Sequence, residues 1–292
     1  MQDCFAANQH DTAGAVRQPA DGRIASGSSD KTIRLWDPAT GIETARFEGH
    51  AYGVTAVRQL ADGRIALGSK DNTIRLWDPA TGAGTARLEG HADRVTTLSE
   101  LADGRIASGS WDETIRLWDP ATGAETARLE DHQYGVSGLI QLADGRIALG
   151  SENNNIGLWD PATGAETARL EGHANGVSAL TQLADSRIAS GSWDKTIRLW
   201  DPATGAETAR LEGHADQVSA LTQLADGRIA SGSWDMTIRL WDLAAGAEIA
   251  RLEVDVTISA LAALPDRRLV AGDALGRLHW LGGPNIHPTI SR

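Results

Sequence analysis

The chain has little of what several common protein classes need. Its 292 residues include one cysteine, Cys4, which excludes an intramolecular disulfide and a zinc site built from several thiolates. No apolar run approaches the roughly 18 residues that span a bilayer. The N-terminal segment MQDCFAANQH lacks the charged and apolar regions of a secretory signal. These features predict a soluble, cytoplasmic protein.

Positive charge is also scarce. Lysine and arginine together number 27 against 39 aspartates and glutamates, which gives a formal charge of −12. The lysines are Lys31, Lys70 and Lys195 alone. An acidic surface repels nucleic-acid phosphates and anionic lipid headgroups. We therefore expect neither a nucleic acid nor a membrane as a partner.

An internal repeat dominates what is present. A Trp-Asp pair recurs every 41 residues, at Trp36, Trp77, Trp118, Trp159, Trp200 and Trp241. Each unit predicts four short strands separated by turns, with Asp-Gly for a tight hairpin and Asp-Pro-Ala-Thr-Gly for a wider turn. For the second unit the predicted strands are Val54–Gln59, Arg64–Gly68 and Thr73–Trp77, with Glu43–Phe47 as the fourth. No segment predicts a helix.

Such units must stack on one another, because four strands cannot bury both of their faces, and ring closure hides the ends of the array. Gly-His precedes Trp-Asp at Gly49-His50, Gly90-His91, Gly172-His173 and Gly213-His214, with Asp131-His132 as a variant and His10 as a shifted equivalent. With this period, the chain resembles the WD-repeat β-propeller family, in a bacterial-type array of near-identical repeats. The resemblance implies an all-β fold, a closed seven-bladed propeller of four-stranded antiparallel blades.

The seventh unit is degraded. Trp280-Leu281 stands in for Trp-Asp, and Val254-Asp255 replaces Gly-His. One propeller domain over residues 1–292 is expected, with blades at about 10–48, 50–89, 91–130, 132–171, 173–212, 214–253 and 255–282. In the family, the N-terminal segment commonly completes the last blade. Asp3–Asn8 is therefore the expected closing strand, and the tail 282–292 is its competitor.

The repeated histidines invite a metal or catalytic interpretation. In WD-repeat proteins, however, this histidine joins a structural hydrogen-bond network with a serine or threonine, a turn aspartate and the tryptophan indole. Three blades carry all four residues of this network. They are His91, Ser108, Asp112 and Trp118 in the third blade; His173, Ser190, Asp194 and Trp200 in the fifth; and His214, Ser231, Asp235 and Trp241 in the sixth. Leu67 and Leu149 replace the serine in two units, and Asn153 also replaces the aspartate. We expect no catalytic site, no metal and no cofactor.

The units differ mainly in two turns that lie at one end of each blade, the end that the family often uses for partners. Five aromatic residues fall there, one in each of blades two to six, and we call them the aromatic arc: Tyr52, Trp111, Tyr134, Trp193 and Trp234. Lys70, Arg94 and Glu152 add charge of both signs. Large amphipathic rings are effective anchors when a partner buries them, each contributing roughly 2 kcal/mol.

The aromatic arc has alternative explanations. Both tyrosines occur in the units that carry Leu67 or Leu149, so tyrosine could pack over leucine, or the two units could be copies of each other. The expected function is a non-catalytic scaffold or sensor that binds a protein or peptide, monomeric as an isolated domain. A small-ligand or carbohydrate binder is the alternative, and an enzyme with a site at the central channel comes third. The near-identical units also look like the C-terminal sensor modules of multidomain bacterial signalling proteins.

Overall fold

A computed structural model of the chain describes residues 13–18, 22–129 and 134–282. These residues form 27 β-strands, and none of them is helical. Over the same ranges there is accordingly no helix long and apolar enough to cross a membrane.

The strands form seven antiparallel sheets in chain order, which we call blades one to seven. Blade one contains β1 (Ala13–Arg17), β2 (Ile24–Ser28), β3 (Thr32–Trp36) and β4 (Glu43–Glu48). Blade two contains β5 (Val54–Gln59), β6 (Ile65–Ser69), β7 (Ile74–Trp77) and β8 (Gly84–Leu88). Blade three contains β9 (Val95–Glu100), β10 (Ile106–Ser110), β11 (Ile115–Trp118) and β12 (Glu125–Leu129).

The remaining blades repeat this plan. Blade four contains β13 (Val136–Gln141), β14 (Ile147–Ser151), β15 (Ile156–Trp159) and β16 (Glu166–Leu170). Blade five contains β17 (Val177–Gln182), β18 (Ile188–Ser192), β19 (Ile197–Trp200) and β20 (Glu207–Leu211). Blade six contains β21 (Val218–Gln223), β22 (Ile229–Ser233), β23 (Thr237–Asp242) and β24 (Ala247–Glu253). The described part of blade seven contains β25 (Ile258–Ala263), β26 (Leu269–Asp273) and β27 (Leu278–Leu281).

Burial along a blade follows from strand position. The second strand, such as β10, is buried at every residue because it has blades on both faces. The fourth strand, such as β12, is largely exposed because it forms the outer edge. The turns use the predicted chemistry: Gly63 in the Asp-Gly hairpin has a φ of 90°, and Gly82 in the wider turn has a φ of 72°.

The ring is closed, because the first strand of every blade contacts the first strand of the next, including β25 against β1. One core cluster joins Val16 and Ile24 of blade one to Ala260 and Val270 of blade seven. The guanidinium of Arg268 also donates to the carbonyl of Pro38 across this junction. The fold is therefore a seven-bladed β-propeller, as predicted.

Close blade packing depends on the glycine of each SGS or LGS run. A Cβ placed on Gly109 would lie 2.5 Å from Cγ1 of Val136 in the next blade, a distance that real Cβ contacts do not show. Beside it, the hydroxyl of Thr96 lies 3.0 Å from the Gly109 carbonyl and also reaches the Val136 carbonyl of the next blade. Sequence analysis did not predict this hydroxyl bridge.

Two details of the strand prediction were wrong. The strand Glu43–Glu48 pairs with β3 of blade one, and blade two takes its fourth strand from Gly84–Leu88 instead. In blade seven Trp280 lies opposite Val270, whereas Leu281 takes the register position of the repeat tryptophan, opposite Leu269. A one-residue offset turns a side chain to the other face of a sheet, so Trp280 is not the seventh repeat tryptophan.

Both candidates for the closing strand of blade seven, Asp3–Asn8 and the tail 282–292, lie outside the described residues apart from Gly282.

Candidate functional site

The two variable turns of a blade meet at one end of the propeller. The backbone N–H of Trp111 donates to the Arg94 carbonyl at 3.1 Å, and that of Trp234 donates to the Gln217 carbonyl at 3.0 Å. In blade two the same bond joins Lys70 to the Gly53 carbonyl at 3.0 Å. We call this end the upper rim, and it carries Tyr52, Lys70, Arg94, Trp111, Tyr134, Glu152, Trp193 and Trp234.

All five rings of the aromatic arc are accessible to solvent. Their exposed fractions are 61% for Tyr52, 41% for Trp111, 48% for Tyr134, 36% for Trp193 and 52% for Trp234. The side chain of Met236, which follows the turn aspartate of blade six, is 45% exposed beside them. Exposed apolar side chains in such a series mark a surface suited to binding.

The upper rim is continuous from blade to blade. A Cβ on Gly135 of blade four would lie 3.1 Å from the Trp111 ring of blade three. At the next junction, a Cβ on Gly176 would lie 3.2 Å from the Cα of Glu152. The Arg94 guanidinium covers the Trp111 ring at 3.2 Å from its centroid, a cation–π contact that holds the ring in place.

The tyrosines are not buried over the substituted leucines. Leu67 is fully buried in a core cluster that contains Ile33 and Trp77, while Tyr52 keeps most of its surface. Leu149 is 3% exposed, whereas Tyr134 is 48% exposed. Packing of tyrosine over leucine therefore does not account for the aromatic arc.

A hydrogen-bonded chain lies beneath the rim, and blade five illustrates it. His173 Nδ1 lies 2.7 Å from Asp194 Oδ2, and His173 Nε2 lies 2.7 Å from Ser190 Oγ. The indole N–H of Trp200 donates to the same Ser190 oxygen at 2.8 Å. The structure brings His91, Ser108, Asp112 and Trp118 together in the same way, and likewise His214, Ser231, Asp235 and Trp241.

This geometry is satisfied by a neutral histidine. Nδ1–H donates to the aspartate, Nε2 accepts from the serine hydroxyl, and the serine oxygen accepts from the indole. Burial lowers the pKa of His214 and so favours this neutral form, against the opposing effect of Asp235. Burial by itself would raise the pKa of Asp194, but hydrogen bonds from His173, Thr196 and the Ala174 amide hold it well below its usual range.

The chain of bonds also fastens the rim to the blade. The Asp194 carboxylate accepts from the backbone N–H of Ala174 at 3.0 Å, so it ties the loop after the histidine to the turn between the second and third strands. These are the two segments that carry the aromatic arc. A rim fixed in this way loses less conformational entropy when a partner binds.

Sequence analysis missed an arginine that extends the chain of bonds to the outer strand. Arg198 is 5% exposed, and its guanidinium donates to Glu207 at 2.7 Å and to Asp194 at 3.4 Å. The sequence contains a signal for this ion pair, because the arginine of TIRLW and the glutamate of AETAR recur together in several units. Gly84 replaces the glutamate in blade two, so this ion pair cannot form there.

Blades two, four and seven depart from the pattern. In blade two His50 still pairs with Asp71 at 2.9 Å, but His50 Nε2 and Trp77 Nε1 are buried without partners because Leu67 replaces the serine. In blade seven the buried Asp273 pairs instead with His279 at 2.8 Å. The variant histidine of blade four, His132, lies outside the described residues.

The serines are poorly placed for nucleophilic catalysis. Ser108, Ser190 and Ser231 have no exposed surface, and each oxygen already accepts a hydrogen bond from an indole. A nucleophile must reach its substrate, so this Ser-His-Asp set does not form an accessible triad. In the part of the chain that the structure describes, no three His, Cys, Asp or Glu side chains could hold a metal ion together.

Comparison with known proteins agrees with this architecture. The WD40 family, described as "WD domain, G-beta repeat", matches residues 7–37, 41–78, 83–119, 164–201 and 205–242, more than half of the chain. The solved WD40 β-propeller domain of Doa1 superposes with a TM-score of 0.87 at 25% identity, over 96% of this chain and 95% of that one. A search of curated proteins found no significant match. With its Trp-Asp repeats, seven-bladed fold and family match, this chain belongs to the WD40 repeat family.

Proposed function

We propose that the chain is a non-catalytic interaction module that binds a protein or peptide segment on its upper rim. WD40 propellers commonly act as protein-interaction scaffolds. The observation that carries the proposal is the aromatic arc: five exposed rings follow one another on consecutive blades, over a rim held by buried hydrogen bonds. An extended segment lying along the rim would contact several of these rings at once.

A peptide suits this rim better than a sugar. The Arg94 guanidinium covers one face of Trp111, which is the kind of surface on which a sugar ring stacks. The rim also carries charge of both signs, with Lys70, Arg94 and Glu152 among the rings. Aromatic and arginine side chains surrounded by polar groups are typical of the energetically important residues of protein interfaces.

The test is a selection of peptides from a random library on the wild-type protein, followed by affinity measurements on three proteins. These are the wild type, the rim variant Trp111→Ala/Trp193→Ala/Trp234→Ala, and a control variant, Ile42→Ala/Ile249→Ala/Leu252→Ala. The control removes side chains that are 64%, 41% and 41% exposed but lie in blade one's wide turn and on β24. Like the rim variant, it removes three exposed apolar side chains, but none of them belongs to the aromatic arc.

We expect selected peptides to bind the wild type and the control equally and the rim variant far more weakly. A loss of about 2 kcal/mol for one anchor corresponds to about 30-fold in Kd. Equal affinities for all three proteins would contradict the proposal. The carbohydrate-binding alternative would be favoured by a different pair of results. No peptide would be selected, and added oligosaccharides would change the tryptophan fluorescence of the wild type but not that of the rim variant.

A further inference from the structure

The central channel contains charge that nothing in the rim proposal uses. The first strands of the blades surround a cavity of about 330 Å³. Its lining is mostly apolar side chains and hydroxyls. Among the described residues that line it, Arg17 and Arg58 are the only charged ones, and no aspartate or glutamate is present. This is unusual in a chain with a formal charge of −12.

The two arginines are neighbours. They stand at the same position of β1 and β5, opposite Ala25 and Ala66 respectively. Desolvation by the channel wall lowers the pKa of Arg17, and the positive charge of Arg58 lowers it further, while part of the Arg17 side chain stays exposed to solvent. Two like charges therefore line the same open channel, and their mutual repulsion disfavours the unliganded protein.

Neither guanidinium is neutralised by a carboxylate among the described residues. Arg58 Nε is buried and has no hydrogen-bond partner within the described ranges of the chain. Glu100, at the end of the next first strand, accepts from the backbone N–H of Ala61 at 2.9 Å and makes no ion pair with Arg17 or Arg58. The arginines of the outer strands differ in this respect: Arg87, for example, pairs with Glu89 at 2.7 Å.

We propose that the central channel binds a phosphate group between Arg17 and Arg58. Guanidinium groups present several N–H donors in a planar fork that matches the oxygens of phosphate, and the pairing is strongest where water is excluded. Ser99 occupies the position equivalent to Arg58 on β9 and lines the same cavity; its hydroxyl now donates to the Glu100 carbonyl at 3.5 Å and would exchange this long bond for one to the phosphate. The cavity is at the small end of the range for ligand sites, which fits a phosphate ion or a small phosphorylated molecule.

This site is independent of the upper rim. The channel residues belong to the first strands, whereas the aromatic arc lies in the turns. Loss of phosphate binding would therefore leave the peptide-binding proposal intact, and the rim variant is expected to bind phosphate normally. The two proposals can fail separately.

The test is calorimetric titration of the whole chain with inorganic phosphate and with pyrophosphate, at constant ionic strength maintained with chloride. The variants are Arg17→Gln and Arg58→Gln. Arg87→Gln is the matched control, because it removes the same charge from a side chain that is 53% exposed on β8. Thermal unfolding with and without phosphate provides a second readout.

We expect the wild type and Arg87→Gln to bind phosphate equally and to unfold at a higher temperature in its presence. Each channel variant should bind at least about tenfold more weakly, as expected for one lost charged hydrogen-bonding partner. Without phosphate, Arg58→Gln should unfold at the same temperature as the wild type or higher, because it removes a repulsion. Tighter binding of pyrophosphate than of phosphate would indicate a phosphorylated molecule rather than the free ion.

Three results would overturn the proposal. One is the absence of both heat and a thermal shift in the wild type with either anion. Another is an equal shift in all four proteins, which would show general ionic stabilisation only. If a glutamine variant does not fold, Arg58→Lys replaces it: this variant keeps the charge but loses the fork, and undiminished affinity in it would exclude guanidinium recognition.

Discussion

Replacing a repeat tryptophan by phenylalanine measures the strength of the buried hydrogen-bond network, because one blade lacks the bond in question. In blade five the Trp200 indole donates to Ser190 Oγ at 2.8 Å. In blade two the Trp77 indole nitrogen is buried without a partner, since Leu67 stands where blade five has serine. Trp200→Phe and Trp77→Phe delete the same atoms, so most of the lost apolar burial cancels when the two are compared.

The two changes should differ by about 1.5 to 4.5 kcal/mol in the free energy of unfolding. Trp200→Phe loses a hydrogen bond with a net value of about 0.5 to 1.5 kcal/mol. Trp77→Phe removes an unsatisfied buried donor, whose cost is about 1 to 3 kcal/mol. The Trp77 ring also stacks on Phe47 at 5.8 Å between centroids, and weakening this contact would reduce the difference by about 1 kcal/mol at most.

The assay is urea unfolding followed by circular dichroism, because fluorescence would itself change with the tryptophan content. Trp118→Phe and Trp241→Phe provide replicates, since both indoles donate to a serine at 2.8 Å. Trp234→Phe is the control for an exposed ring that makes no network bond, and its effect should be within about 0.5 kcal/mol of zero.

The reasoning would be refuted if Trp77→Phe cost as much as the other three network substitutions. In that case the orphaned indole of blade two would be satisfied in solution, for instance by a water molecule, and Leu67 would carry no polar penalty. The phenylalanine substitutions of Trp118, Trp200 and Trp241 could also lower the free energy of unfolding no more than that of the exposed Trp234. That result would show that the network contributes nothing to stability.

Two further predictions concern the backbone and the carboxylates. Ser186 has a φ of 72° in a hairpin where blades two, three, four and six have glycine, so Ser186→Gly should raise the free energy of unfolding by about 1 kcal/mol, and Gly227→Ser should lower it similarly; equal urea midpoints would contradict this. The pKa of Asp194 is held below its usual range, so its contribution is present above about pH 4 and is lost as the pH falls below that value. Asp194→Asn should therefore cost most at neutral pH and progressively less as the pH falls from about 4 toward 2. Asp71, whose pKa is lowered to about 2, should lose most of its own contribution over the same range; a pH-independent difference in thermal midpoint would contradict this.

The sequence by itself determined the repeat and most of the local structure. The 41-residue period, the Asp-Gly and Pro-Gly turns and the alternating strands specify a four-stranded antiparallel unit, because each depends on contacts within a few residues. The near-identity of the units also exposed the positions that vary, and thus the aromatic arc. These inferences need no knowledge of how distant residues meet.

The tertiary structure decided what depends on neighbouring blades. By sequence spacing, Trp280 continues the series of repeat tryptophans, but the strand register places Leu281 in that position. In a degraded unit the spacing along the sequence cannot reveal a shift of one residue. The orphaned nitrogens of His50 and Trp77 likewise become visible only when packing excludes other partners.

The channel arginines show most clearly the difference between what the sequence determines and what the tertiary structure decides. In sequence, Arg17 and Arg58 are ordinary polar residues at the ends of two strands, 41 residues apart. Ring closure places both on the wall of one channel and leaves them without a described carboxylate partner. Sequence periodicity determines which residues are equivalent, but only the closed ring decides which of them share a cavity, because that requires every blade to be in place at once.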